Sequence, residues 1–285
     1  MTSTQQRVAL ITGCSSGIGL LTAVEMAAAG FRVIATMRDP SRQDRLMQAA
    51  QAAGAGSRLE VRRLDITETA RLPQAVDEIL SSHGRIDVLV NNAGFALGGF
   101  AEDIQLEELR DQFETNFFGQ VALTRAVLPA MRRQQSGHII MVSSISGLAA
   151  TPVTSSYGAS KFALEGWSEA LRIELRALGI RVVLIEPGAF ATDIWEKNVK
   201  MGKAAMSPDS PNRERSKRFA EMVRTRVAKG DARKVARLIV SVANDPRPRL
   251  RYRIGRDANM HYRMKALLPW KLYERLVARM TAIDG

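Results

Sequence analysis

Apolar runs of strand length recur along this chain. Between them lie stretches in which apolar residues return every three or four positions. The runs Arg7–Thr12, Arg32–Thr36, Arg58–Leu64, Ile86–Val90, His138–Ser143, Arg181–Glu186 and Arg251–Ile254 predict seven strands. Helical periodicity covers Gly17–Ala29, Ser41–Ala53, Thr67–Ser82, Leu106–Gln135 and Ser155–Leu178. Regular strand–helix alternation predicts an α/β fold, a doubly wound and mostly parallel seven-stranded sheet with helices on both faces. Ligands of such sheets bind beyond the carboxyl ends of the strands, so functional residues are expected directly after them.

The rhythm breaks at 188–230, which shows no strand pattern and contains Pro208, Pro211 and many charges. A stretch this long in a compact domain is expected to act as a lid over a ligand or to be disordered. The predicted organisation is one domain over 1–285, with a substrate lid at 188–230 and a basic extension at 256–285. In the tail, Met264–Met280 has a helical pattern interrupted at Pro269.

Composition narrows the class. The chain has 285 residues, 46% of them hydrophobic, enough for a sizeable core. Cys14 is the single cysteine, which excludes an internal disulfide and suits a reducing cytoplasm. The N-terminal stretch is polar, and neither a signal peptide nor a membrane span is expected. Net charge is +12, and residues 197–285 carry it, with 23 Lys/Arg against 8 Asp/Glu. Three scattered histidines, His83, His138 and His261, give no metal-ligand cluster, so no metal is expected.

The first strand runs into Thr12-Gly13-Cys14-Ser15-Ser16-Gly17-Ile18-Gly19, followed by a helix. Glycines there allow a tight turn and a close backbone approach to a pyrophosphate, and the helix N-terminus presents free N–H groups to it. The second strand ends at Thr36-Met37-Arg38. A carboxylate near this point would bind ribose hydroxyls, whereas an arginine suits an added 2′-phosphate. Met37 offers no acid, and Asp39, before Pro40, is read as opening the next helix. The expected cofactor is therefore NADP(H), with NAD(H) as the weaker reading.

Tyr157 and Lys161 stand four residues apart, which stacks them on one helix face. A tyrosine titrates near ~10, and an adjacent ammonium favours its phenolate, so the pair is a candidate proton shuttle. Ser144 lies 13 residues before Tyr157, and Asn116 lies 28 before Ser144. With the glycine loop, Asn91-Asn92-Ala93-Gly94, Asp65 and Pro187-Gly188 with Thr192, these elements resemble the short-chain dehydrogenase/reductase family over about residues 7–255. Local runs such as Ser160-Lys161-Phe162-Ala163-Leu164-Glu165-Gly166 look most like its 17β-hydroxysteroid and retinol dehydrogenase branch.

The resemblance implies a Rossmann-like oxidoreductase that moves a hydride between the nicotinamide and a carbonyl or alcohol. It implies Tyr157 as general acid/base and Ser144 as a hydrogen-bond donor to the reacting oxygen. Lys161 would lower the Tyr157 pKa and bind ribose, and Asn116 would hold a water for proton resupply. Cofactor contacts are implied for Gly13, Ser15, Ser16, Gly17, Ile18, Gly19, Arg38, Asp65, Ile66, Asn92, Ala93, Gly94, Tyr157, Lys161, Pro187, Gly188 and Thr192. A homodimer or homotetramer pairing through the helices around 106–135 and 155–178 is implied as well.

Phe95, Ile145 and Trp195 are candidate substrate contacts, and Ala96 and Leu97 could line the wall opposite the lid. Apolar walls suit a bulky lipophilic substrate of steroid, retinoid or long-chain type. A 3-oxoacyl thioester, which the basic lid would attract, is the alternative substrate. A non-catalytic NADP(H)-binding regulator is the alternative class, against which the complete Asn116/Ser144/Tyr157/Lys161 set argues. The tail mixes Leu, Trp and Tyr with Lys and Arg, which fits a helix lying peripherally on an anionic membrane surface. It equally fits a helix that packs its Leu stripe on the domain. No nucleic-acid motif accompanies the charge.

Overall fold

A computed structural model describes residues 6–191, 199–226 and 230–281. The predicted strands are present as β1 (Val8–Ile11), β2 (Arg32–Met37), β3 (Leu59–Arg63), β4 (Val88–Asn91), β6 (Gly137–Val142), β7 (Ile180–Pro187) and β9 (Arg251–Ile254). They form one sheet in the order β3-β2-β1-β4-β6-β7-β9, every neighbouring pair parallel. In β1 all four residues are buried, as a strand covered on both faces requires. Val8 and Leu10 pack with Leu89, Leu123, Ile139 and Leu164 on one face. Ala9 and Ile11 pack with Ala23, Met26, Val90 and Ile239 on the other.

The first helices are α1 (Gly17–Ala28), α2 (Asp44–Ala52) and α3 (Leu72–His83). They are shorter at the N-terminus than the periodicity implied for two of them, because the 3₁₀ turns Pro40–Arg42 and Thr69–Arg71 come first. The span 106–135 is not one regular helix. It divides into α4 (Leu106–Phe113), a π-helical turn (Glu114–Phe118) and α5 (Gly119–Gln134). A π turn re-aims a side chain, and here it carries the fully buried Asn116. Helix α6 (Ser155–Glu174) is continuous.

The region 188–230 does contain a strand, contrary to its sequence pattern. β8 (Val199–Met201) pairs in parallel with β5 (Ala96–Gly98), a three-residue strand directly after the fourth sheet strand. Neither is legible in the sequence, since three residues cannot show a period. Lys203 N donates to Glu108 Oε1 at 3.1 Å, Ser210 Oγ to Asp103 at 2.8 Å and Asn212 Nδ2 to Glu102 at 2.6 Å. The segment is thereby tied to α4 and to the turn before it. A helix Arg213–Arg226 follows, then one at Arg233–Asn244 whose Val235, Ile239 and Val242 join the core. The tail forms two helices, Arg256–Leu267 and Trp270–Thr281, parted at Pro269 as expected. Among the described residues no helix is long and apolar enough to cross a membrane.

Candidate active site

The strand order reverses between β1 and β4, and the chain leaves both strands at the same end of the sheet. Thr12 sits at that split. Its Oγ1 accepts from the backbone N–H groups of Asn92 and Ala93, both at 3.0 Å. Asn92 Nδ2 returns a bond to Thr12 O at 2.8 Å. The glycine loop thus rests on the Asn92-Ala93-Gly94 turn. Gly13 (φ 72°) and Gly17 (φ 58°) occupy the left-handed region that favours glycine. A Cβ on Gly19 would stand 2.3 Å from Gly13 O and 2.4 Å from Asn92 Nδ2. This tight, side-chain-free turn at the N-terminus of α1 fits a dinucleotide pyrophosphate. Cys14 is buried in the loop, with its thiol pushed up to about 12 by burial, and is unreactive there.

A cleft of about 330 Å³ opens beside the loop, lined by Ser15, Met37, Arg38, Asp39 and Arg42. Asp39 is turned to its own loop. It accepts from Ser41 N at 3.0 Å and Ser41 Oγ at 2.7 Å, and these bonds hold its carboxyl below the usual range. It opens the 3₁₀ turn, as its position before Pro40 implied. Arg42 joins Arg38 in the cleft. Arg42 stands four residues after Arg38, and that spacing is the one signal in the sequence for its place here. Asp65 Oδ1 accepts from Thr67 N and Oγ1 at the end of β3, and Ile66 is buried behind it.

Asn116, Ser144, Tyr157 and Lys161 come together at the carboxyl ends of β4 and β6. Ser144 follows β6 in extended conformation, and its Oγ accepts from Ser146 N at 3.1 Å. Tyr157 and Lys161 lie on the buried face of α6. Burial raises the Tyr157 pKa, and the Ser144 hydroxyl is the group that pulls it back. Lys161 has no direct hold on the phenol. Its Nζ is 5.8 Å from the Tyr157 ring centroid and donates to Val142 O at 2.9 Å. Burial is the largest influence on both groups, and at Tyr157 it works against the lowering expected of Lys161. Lys161 itself is lowered to about 8 by burial, with Glu165 opposing the shift.

Asn116 is committed to the protein. Its Oδ1 accepts from Phe95 N at 3.1 Å, and its Nδ2 donates to Phe95 O at 3.0 Å and Ser160 Oγ at 3.2 Å. Both amide hydrogens are used, so any water it holds must donate to Oδ1. Pro187 ends β7 and Gly188 follows, its N–H donating to Ile254 O at 2.9 Å. A Cβ on Gly188 would meet Asp257 at 2.2 Å, and Ala189 N donates to Asp257 Oδ2 at 2.6 Å. Asp257 thus secures the Pro-Gly turn, which sequence spacing did not reveal because it lies 69 positions beyond Gly188. Phe95 is half-buried with Lys200 Nζ 4.6 Å above its ring, and Ile145 opens the turn after Ser144. Ala96 and Leu97 are buried within β5, where they pair with positions 199 and 200 of β8. Thr192 and Trp195 lie outside the described residues. His83 contacts Glu60, and His138 contacts Asp245 O; neither approaches this cluster.

A sequence profile described as short chain dehydrogenase matches residues 7–203. An uncharacterised oxidoreductase of Bacillus subtilis is 40% identical over 276 residues, covering 96% of this chain and 98% of that protein. Human retinol dehydrogenase 8 is 43% identical over 194 residues, or 67% of this chain and 61% of that protein. A 3-ketodihydrosphingosine reductase of Bacteroides thetaiotaomicron is 42% identical, over 66% of this chain and 65% of that protein. Among solved structures, a short-chain dehydrogenase from Streptomyces avermitilis superposes with a TM-score of 0.81 at 34% identity, covering 99% and 97% of the two chains. A short-chain dehydrogenase/reductase from Burkholderia phymatum in complex with NAD gives 0.79 at 26% identity over 93% and 95%. A metagenomic short-chain oxidoreductase in complex with NADP gives 0.68 at 26% over 87% and 96%.

The loop geometry makes one expectation sharp. Gly19→Val should lower dinucleotide affinity at least ten-fold, read by the fluorescence change of reduced nicotinamide on titration. Unchanged affinity would mean that the dinucleotide does not approach this turn.

Proposed function

The chain belongs to the short-chain dehydrogenase/reductase family, oxidoreductases acting on alcohol and carbonyl groups, and on that premise we propose an NADP(H)-dependent enzyme for a bulky lipophilic substrate. The observation that carries the reading is the meeting of Ser144, Tyr157 and Lys161 at the strand ends beside the glycine turn. When bound, the nicotinamide supplies or accepts the hydride. Tyr157 gives its proton to the carbonyl oxygen in reduction and takes it back in oxidation. Ser144 Oγ hydrogen-bonds the same oxygen and steadies the charge that develops there. Lys161 binds ribose and adds positive charge behind the phenol. Asn116 accepts a hydrogen bond from a water through Oδ1 on the proton-resupply route. Gly13, Ser15, Ser16, Gly17, Ile18, Gly19, Asn92, Ala93, Gly94, Asp65 and Ile66 hold the dinucleotide.

The phosphate preference rests on Arg38 and Arg42 in the cleft and on the engagement of Asp39 with Ser41. Two guanidinium groups with no free carboxylate between them suit a 2′-phosphate. For the substrate, the lid role of residues 188–230 is supported by Lys200, whose Nζ stands over the Phe95 ring. Two of the relatives are a retinol dehydrogenase and a 3-ketodihydrosphingosine reductase, which supports a lipophilic carbonyl over an acidic thioester.

The tail supports a peripheral contact with an anionic membrane surface, from which a lipid-dissolved substrate could be reached. Tyr273 and Val277 pack inward, so part of the helix serves the fold. Leu267 (78% exposed), Trp270 (64%) and Leu272 (45%) project at the junction of the two tail helices, with Lys271 and Arg275 beside them. Large apolar side chains ringed by cations match a lipid headgroup layer. Leu106, Phe118, Phe162 and Ile173 are exposed on the helices expected to pair, which supports a homodimer or homotetramer.

Three outcomes follow. With a panel of steroid, retinoid and long-chain ketones, kcat/KM with NADPH should exceed that with NADH, and Arg38→Asp should reduce the preference ten-fold or more; a wild-type NADH preference would sink the phosphate assignment. Tyr157→Phe should lose turnover by at least a thousand-fold with NADPH binding retained, and near-normal turnover would remove Tyr157 from the chemistry. Full-length protein should sediment with vesicles containing phosphatidylserine, and a Leu267→Glu/Trp270→Glu variant should not; equal binding by both would discount the tail.

A further inference from the structure

Behind the Tyr157/Lys161 pair lies a second group of ionisable residues that the proposed chemistry leaves unused. Tyr157, Lys161, Glu165 and Glu169 follow one another at four-residue intervals along α6, so they share a face. Glu165 is 5% exposed at its side chain, and Glu186, at the end of β7, is fully buried. A single guanidinium serves them all. Arg251, the first residue of the edge strand β9, bonds Glu165 and Glu169, and it reaches Glu186 Oε1 at 2.8 Å. Arg253 lies farther off, 3.9 Å from Glu186 Oε2.

These charges do not balance by hydrogen bonding alone. Glu186 Oε2 is buried without a hydrogen-bond partner, and buried Glu165 has the Ser143 hydroxyl as the neutral group bearing on it beside Arg251. Burial of an unpaired carboxylate oxygen is costly, and two neighbouring carboxylates resist ionising together. Burial raises both carboxyls, Glu165 to about 7. The two residues flank the candidate site. A Cβ on Gly147 would meet Glu165 at 2.9 Å and Ser143 Oγ at 3.0 Å, so both face the turn that follows Ser144. Glu186 directly precedes Pro187-Gly188. Lys161 has no carboxylate within ion-pair distance among the described contacts, and Glu165, one helical turn on, is the anion that bears on it.

Resting on the catalytic reading above, we infer that Glu165 is a positioning residue: clamped by Arg251 against Glu186, it fixes α6 relative to the Ser144 turn and the Pro187-Gly188 turn, and its charge sets that of Lys161. The groups facing Glu165 are Lys161 and Glu169 from its own helix, Ser143 from the end of β6, Glu186 from β7, and Arg251 from β9. Arg251 is common to the three carboxyls, so a proton gained or lost by the buried pair alters the field at Lys161 without any group moving far. Asp, Gln or Ala at 165 would each keep a helix, but none would keep both the reach to Arg251 and the charge.

Glu165→Gln keeps the shape and removes the charge, and two readouts follow. The ionised Glu165 raises the Lys161 pKa, so its loss should move the alkaline limb of kcat/KM for carbonyl reduction at least half a pH unit downward. A purely structural role would lower activity equally at every pH. The second readout needs no substrate. Between about 4.5 and about 7 the folded wild type holds a proton on Glu165 that the unfolded chain has released. Wild-type Tm should therefore fall as pH rises through that window, and Glu165→Gln should lack this component. Parallel Tm–pH curves together with superposed pH–rate profiles would overturn the inference. If Glu165→Gln does not fold, Arg251→Lys tests the clamp by the same Tm series: Arg251 lowers the Glu165 pKa, so a weaker partner there should enlarge the pH component, and an unchanged one counts against the inference. Failure of the parent reading looks different, because there Tyr157→Phe would stay active.

Discussion

The split between β1 and β4 is the constraint on which the rest of the molecule depends. A parallel sheet that winds outward in both directions must open a crevice where its order reverses, and the chain must close that crevice with very small groups. Thr12 does so through three hydrogen bonds across the split, two from Asn92 and one from Ala93 N. Gly13 and Gly19 keep the backbone so close that an added methyl group would overlap it. The turn that results lies at the N-terminus of α1, where free N–H groups favour an anion. The same strand ends deliver Asn116, Ser144, Tyr157 and the Pro187-Gly188 turn to one edge of the crevice.

Burial then governs the electrostatics. Tyr157, Lys161, Glu165 and Glu186 are all removed from water, and each is displaced toward its neutral form as low-dielectric surroundings demand. Such a cluster is tolerable only because every group has a bond or a counter-charge nearby. Val142 O holds the Lys161 ammonium, Ser144 faces the phenol, and Arg251 serves three carboxyls at once. Perturbed groups gathered at strand ends are a frequent mark of chemistry. Here they extend inward past the residues that would touch a substrate, which links the edge strand β9 to the helix carrying Tyr157.

Much of the arrangement was legible because its signals are local. Periods of two and of three to four residues revealed the sheet strands and the main helices, and Gly13 to Gly19 is contiguous in sequence. Tyr157 and Lys161 could be paired from helix geometry alone. Other features depend on chain segments that meet only on folding. β5 and β8 are three residues each and stabilise one another from 103 positions apart, with no period to betray them. The π turn that aims Asn116 inward leaves the helical pattern almost unchanged. Arg42 was visible but had no known neighbour until the turn at Pro40 brought it beside Arg38.

By itself the sequence determined the α/β winding, the crevice-forming loop and the candidates for proton exchange, because backbone conformation and residue chemistry are local properties. Only the tertiary structure decided how those residues are charged and held. It showed that the Asn116 amide hydrogens are spent on Phe95 and Ser160, that Lys161 is directed to Val142 O, and that Asp257 grips the Pro187-Gly188 turn. It also brought Arg251 to Glu165 and Glu186, residues 86 and 65 positions away. Burial and the direction of a hydrogen bond arise from packing between distant segments, and no reading of neighbours along the chain contains them.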